Sequence, residues 1–227
     1  MERSALMDVS ALQGKKFVAS YSGGKDSVLA IYKAIQAGLE PLLMITTFNA
    51  DAESSWFHGV PEPLLQKAAA AMGIPLTLVQ TSGDDYEANF EKALTAAKQQ
   101  GAEVCVFGDI DLQAHLDWCT QRCENVGLQA YFPLWQNSRK QLVYEFIDAG
   151  FATIITIVDT DRMPAEFLGL TLSRELADKI AASGADICGE NGEYHSFAYD
   201  GPIFTQPVDF AIGEQVQRDH YVVLTIS

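Results

Sequence analysis

Residues 16–20 (KFVAS) form a short apolar run that passes into Ser20-Tyr21-Ser22-Gly23-Gly24-Lys25-Asp26-Ser27. Residues 25–37 (KDSVLAIYKAIQA) then carry Val28, Leu29, Ile31, Tyr32 and Ile35 on one helical face, with Gly38 just past the end. A buried strand, a turn of small residues and an amphipathic helix in this order are the first unit of a βα fold. The turn also constrains chemistry. Its two glycines let the backbone approach a ligand and aim N–H groups inward. The helix that starts there adds partial positive charge. Ser22 and Ser27 offer hydroxyls, and Lys25 offers a full charge. The set suits a polyphosphate anion. It is not a Walker A loop, which needs glycine where Ala19 stands and Ser or Thr where Asp26 stands, and it is not G-x-G-x-x-G.

The pattern continues. Residues 41–48 (PLLMITTF), 76–80 and 103–107 (EVCVF) read as buried strands, and residues 61–72, 84–100 and 112–126 as helices between and after them. Near-continuous apolar strands alternating with helices predict a parallel sheet with helices on both faces. The character shifts after residue 130. A helix over 139–149, a strand over 151–158, a helix over 174–182 and β-like segments at 195–199 and 215–226 predict a smaller α+β C-terminal domain. The boundary falls near 131–137, giving domains 1–131 and 132–227.

Composition narrows the function classes. Hydrophobic residues make up 48% of the 227, enough for a core, yet no apolar run nears bilayer-spanning length and the start has no signal-like apolar stretch. No membrane association and a cytoplasmic location with four reduced cysteines are expected. Thirty acidic residues against 15 basic give a net charge of −15, which argues against nucleic acid as a partner. Residues 151–227 carry 12 acidic and 4 basic side chains, so −8 lies in the smaller domain and −7 in residues 1–150. Cys119-x-x-x-Cys123 has helical spacing and reads as buried thiols rather than half of a metal or sulfur-transfer site. Trp56 and His58 follow the second strand, at the strand ends where open α/β sheets bind ligands, and are expected beside the nucleotide.

Ser22-Gly23-Gly24-Lys25-Asp26-Ser27 resembles the SGGxDS signature of the PP-loop ATP pyrophosphatases. That resemblance implies an adenine nucleotide α-hydrolase-like fold and cleavage of ATP between its α- and β-phosphates. Gly108-Asp109-Ile110, Pro133-Leu134-Trp135, Cys188-Gly189-Glu190-Asn191-Gly192-Glu193-Tyr194-His195-Ser196-Phe197 and Asp200-Gly201-Pro202-Ile203-Phe204 together resemble the diphthine–ammonia ligase family. The resemblance covers residues 16–210. It implies an ATP-dependent ligase that adenylylates an acceptor carboxylate, releases pyrophosphate and forms an amide with ammonia.

The same resemblance implies site residues. ATP would lie on Ser22, Gly23, Gly24, Lys25, Asp26 and Ser27, with Thr46 and Phe48 at the adenine and Gly108 nearby. Mg²⁺ would sit on Asp26 and Asp109. Lys25, Asp26, Glu190 and Glu193 are the catalytic candidates. His195 reads either as a general base or as a strand residue with a hydrogen-bonded ring. The partners implied are a nucleotide and an acceptor carboxylate on a protein such as an elongation factor, with a homodimer left open. The sequence departs from diphthine-acting members over Asp111-Leu112-Gln113-Ala114-His115-Leu116-Asp117-Trp118-Cys119, where they carry Ser…Tyr-Gln-Arg. A PP-loop sulfurtransferase or RNA-modifying enzyme, and a non-catalytic nucleotide sensor, are the alternatives.

Overall fold

The computed structural model describes residues 9–49, 54–55, 59–82 and 84–227. Trp56 and His58 lie outside the described residues. The chain begins with β1 (Lys16–Ser20), α1 (Lys25–Gln36), β2 (Glu40–Asn49), β3 (Ser54–Ser55), α2 (Glu62–Met72), β4 (Leu76–Thr81), α3 (Tyr86–Gln99), β5 (Val104–Val106), α4 (Gln113–Val126) and β6 (Gln129–Tyr131). Five strands pair in parallel in the order β4-β2-β1-β5-β6, and β3 adds a short antiparallel pairing to β2. Because β1 has β2 on one side and β5 on the other, the chain reverses direction across the sheet there, which opens a crevice at the strand ends.

Alternate residues of β1 face opposite layers, as a sheet covered on both sides requires. Phe17 and Ala19 pack with Val28 and Ile31 of α1 and with Leu64 and Leu65 of α2. Val18 packs with Phe90 and Leu94 of α3 and with Cys119 and Cys123 of α4. All four cysteines are unpaired and buried. Strand β6 has no counterpart in the sequence reading, because three residues (QAY) are too few to show a period.

The second unit comprises α5 (Arg139–Asp148), β7 (Ala152–Asp159), α6 (Arg174–Ala182), β8 (Tyr194–Asp200), β9 (Ile212–Arg218) and β10 (Tyr221–Ile226). Its strands form an antiparallel sheet in the order β8-β7-β10-β9. The 215–226 segment, read as one stretch from sequence, is a hairpin that turns at Asp219 with φ +52°. One apolar core runs through both units and contains Phe17 and Ile31 together with Ile155, Phe197 and Leu224. The Ala198 N–H of β8 donates to the Gly23 carbonyl at 2.9 Å, so the second sheet touches the loop after β1 directly. Among the described residues, no helix is long and apolar enough to cross a membrane.

Candidate functional site

The loop between β1 and α1 is held by its own small side chains. The Ser22 hydroxyl donates to Ser27 Oγ at 3.2 Å and accepts the Gly24 N–H at 3.3 Å, while Ser27 Oγ donates to the Gly24 carbonyl at 2.9 Å. Gly23 needs its missing side chain twice over. Its φ of +86° is costly for other residues, and a Cβ there would lie 3.1 Å from Leu65. Gly108, just after β5, presses on the far side of the loop: a Cβ would sit 2.9 Å from the Asp26 carbonyl carbon and 3.0 Å from the Ser27 nitrogen. The loop is therefore wedged between β5's end and β8, where Ser196 Oγ accepts the Lys25 N–H at 3.4 Å.

A cavity of about 550 Å³ opens over this loop, within the range of small-molecule sites. Ser22, Lys25, Asp26 and Ser27 line it from the first unit, and Glu190, Tyr194, His195 and Ser196 from the second. Lys25 is buried, its ammonium donating to Asp26 Oδ2 at 2.8 Å and to the Cys188 carbonyl. Burial alone would lower its pKa. The Asp26 carboxylate more than offsets that and holds its pKa well above the usual value. Glu190 shows the opposite balance. Burial, then the nearby Asp26 carboxylate, push its carboxyl up to about 7 despite Lys25 and Arg139. That is a value suited to proton transfer near neutral pH.

Glu193 is placed differently from the sequence expectation. Its side chain is not part of the cavity wall. Its carboxylate accepts the Asn191 N–H at 3.0 Å, the Asn191 side-chain amide at 3.0 Å and the Asp186 N–H at 3.2 Å. Burial would raise its pKa, but these donors outweigh burial and lower it. Glu193 thus shapes the 186–193 loop that carries Glu190. Thr46 acts indirectly as well: its hydroxyl donates to the Tyr21 carbonyl at 2.5 Å, below the loop. Phe48 is 5% exposed, and neither it nor Thr46, Gly23 or Gly24 lines the cavity.

Asp109 and Gly108 do line it. Asp26, Cys188 and Glu190 bring ligand atoms within 4.8 Å of one another, whereas Asp109 is outside that group. It accepts instead from Cys119 Sγ at 3.8 Å and lies 3.1 Å from His115 Nδ1, an interaction that raises the His115 pKa. His115 is a cavity residue that sequence reading passed over. It stands where the motif departs from its family, with no local signal beyond that departure. The opposite end is apolar: Tyr86 and Trp118 lie 5.8 Å apart and Phe90 and Trp118 5.5 Å apart, with Phe107 beside them. Burial pushes the Cys119 and Cys188 thiols up, so both are neutral rather than nucleophilic.

Comparison with known proteins fits these two units. The family model of the diphthamide synthase N-terminal domain matches residues 15–130, and that of the C-terminal domain matches residues 138–225. The chain belongs to the diphthamide synthase family. Relatives in it include a diphthine–ammonia ligase from Homo sapiens, 25% identical over 85% of this chain and 82% of that one. Another, from Danio rerio, is 26% identical over 85% of each chain. Among solved structures, a predicted subunit of tRNA methyltransferase from Methanocaldococcus jannaschii aligns over 85% of this chain and 100% of that one. Its TM-score of 0.46 and 13% identity are too low to bear on function.

Proposed function

We propose that this member of the diphthamide synthase family is an ATP-dependent ligase that adenylylates an acceptor carboxylate and amidates it with ammonia, with diphthine as the acceptor. One observation carries the proposal: Lys25 of the first unit and Glu190 of the second line the same cavity. A carboxylate is a poor electrophile until one of its oxygens becomes part of a good leaving group. Attack on the α-phosphorus of ATP supplies that group and releases pyrophosphate; ammonia then displaces AMP.

The residues divide this work. Lys25, the loop N–H groups and the α1 N-terminus stabilise negative charge growing on pyrophosphate. Glu190, ionised at and above its pKa of about 7, takes a proton from the nitrogen as the amide forms. Within the Asp26, Cys188 and Glu190 group the Asp26 carboxylate suits a hard cation, and the neutral Cys188 thiol does not. Asp26 would hold Mg²⁺ together with phosphate oxygens, supplying positive charge to the leaving group. Residues 1–131 form the nucleotide side and 132–227 the acceptor side, whose net charge of −8 favours an acceptor bearing positive charge. Four unpaired thiols suit a reducing, cytoplasmic setting.

The sulfurtransferase alternative needs a nucleophilic thiolate, and the raised pKa of the Cys119 and Cys188 thiols disfavours it. The test is pyrophosphate release from Mg-ATP with ammonium and a diphthine-bearing elongation factor, comparing the parent with Lys25→Ala. Release by the parent and its loss in the variant are expected. Tight ATP binding without release under these conditions would identify a nucleotide sensor instead.

A further inference from the structure

Arg139, the first residue of α5, joins three separate chain segments. Its Nε and one terminal nitrogen donate to the two oxygens of Asp111 at 2.7 Å each, on the loop after β5. Its other terminal nitrogen donates to Asp186 Oδ2 at 2.7 Å and to Asn191 Oδ1 at 3.4 Å, both on the loop before β8. Asp186 passes the constraint on. The oxygen that faces Arg139 also accepts the Glu190 N–H at 3.0 Å, and the other oxygen accepts the Cys188 N–H at 3.2 Å. Cys188 in turn offers its carbonyl to the Lys25 ammonium. One guanidinium therefore fixes the carboxylate that orients both the backbone of Glu190 and the carbonyl on Lys25.

We infer that Arg139 is a positioning residue for the ligase reaction: by bridging Asp111 and Asp186 it holds the 186–193 loop so that Glu190 meets Lys25 and Asp26 in the cavity. The inference rests on the function proposed above. A lone exposed ion pair would do little. Here the side chains of Arg139 and Asp186 are only 25% and 12% exposed, and the fork to Asp111 is bidentate. That geometry belongs to arginine, since a lysine ammonium cannot reproduce two parallel N–H bonds. Arg139 does not line the cavity itself. The nucleotide loop has separate supports, Ala198 to Gly23 and Lys25 to Ser196, so the effect should fall on chemistry rather than on ATP binding.

The test combines two readouts on Arg139→Ala, Arg139→Lys, Glu190→Gln and the Arg139→Ala/Glu190→Gln double variant. Hydrogen exchange of residues 186–193 should speed up by about tenfold in Arg139→Ala with α1 and α3 unchanged, because a local tether is lost. The kcat of amide formation should fall by about tenfold, with the KM for ATP within about threefold, and Arg139→Lys should recover part of the loss. In the Glu190→Gln background Arg139→Ala should cost less than about twofold more, since both act through one group. Unchanged exchange in that loop, or full additivity with Glu190→Gln, overturns the inference. If Glu190→Gln alone is fully active, the assigned role of Glu190 fails instead, and exchange in the loop still decides whether Arg139 is its clamp.

Discussion

Replacing Glu190 with Gln should stabilise the protein while removing its activity. The Glu190 carboxyl is raised from the ordinary 4.5 to about 7, first by burial and then by the Asp26 carboxylate. Below pH 4.5 the folded and unfolded chains both hold this proton, and ionisation costs nothing. Between the two values the unfolded chain ionises first, so stability falls as pH rises. Above pH 7 the loss is complete, at about 3 kcal/mol as a ceiling, from 1.36 kcal/mol per pH unit. Gln cannot ionise and escapes that cost. Urea or thermal unfolding at pH 8 should therefore show the variant more stable by up to about 3 kcal/mol, at roughly 2–4 °C per kcal/mol. At pH 5 the difference should shrink below about 1 kcal/mol. Amide formation should fall on the order of a hundredfold, within the range for a lost general base. Free ammonia also grows more abundant with pH, so parent and variant are compared at each pH. A variant no more stable than the parent at pH 8, or equally stabilised at both pH values, would refute the reasoning.

Other substitutions separate loop support from chemistry. Gly108→Ala places a methyl 2.9 Å from the Asp26 carbonyl carbon, and calorimetric titration should show ATP affinity down by about tenfold, for a strain of about 1–3 kcal/mol. Glu193→Gln should cost about 1–3 kcal/mol in thermal unfolding, because a Gln amide cannot accept all three donors. The Glu193 carboxyl is held below its usual pKa, so that stabilisation is full above the usual value and is lost as pH falls through the lowered one. His115 is held above its usual pKa by Asp109, so its contribution is full below 6.5 and lost as pH rises through the raised value. His115→Asn should accordingly narrow the stability difference from the parent between pH 6 and pH 8.5.

Much of the fold is legible because its signals are local. The helices predicted at 61–72, 112–126 and 174–182 correspond to α2, α4 and α6 to within a residue at each end, since each has its own stop signal or apolar face. The two-unit plan follows from where βα alternation ceases. Strand β6 is not legible, being defined by its neighbour β5 rather than by its own period. The site divides the same way. The 22–27 turn can be read from residue types, because Gly23 takes a positive φ that other residues rarely adopt. The difference between Glu190 and Glu193 cannot, because two carboxylates three residues apart look alike until the N–H donors around one of them are placed. Arg139 and His115 are invisible for a related reason: their partners lie 28 and 47 residues away for Arg139 and across a loop–helix junction for His115.

The central claim is that this cavity joins an acceptor carboxylate to ammonia at the cost of the α–β bond of ATP. Labelled at its α-phosphate, ATP should yield AMP with one pyrophosphate per amide formed, and only when ammonium and the diphthine-bearing acceptor are both present. ADP as the product, or AMP formed equally without acceptor and ammonium, would contradict the account.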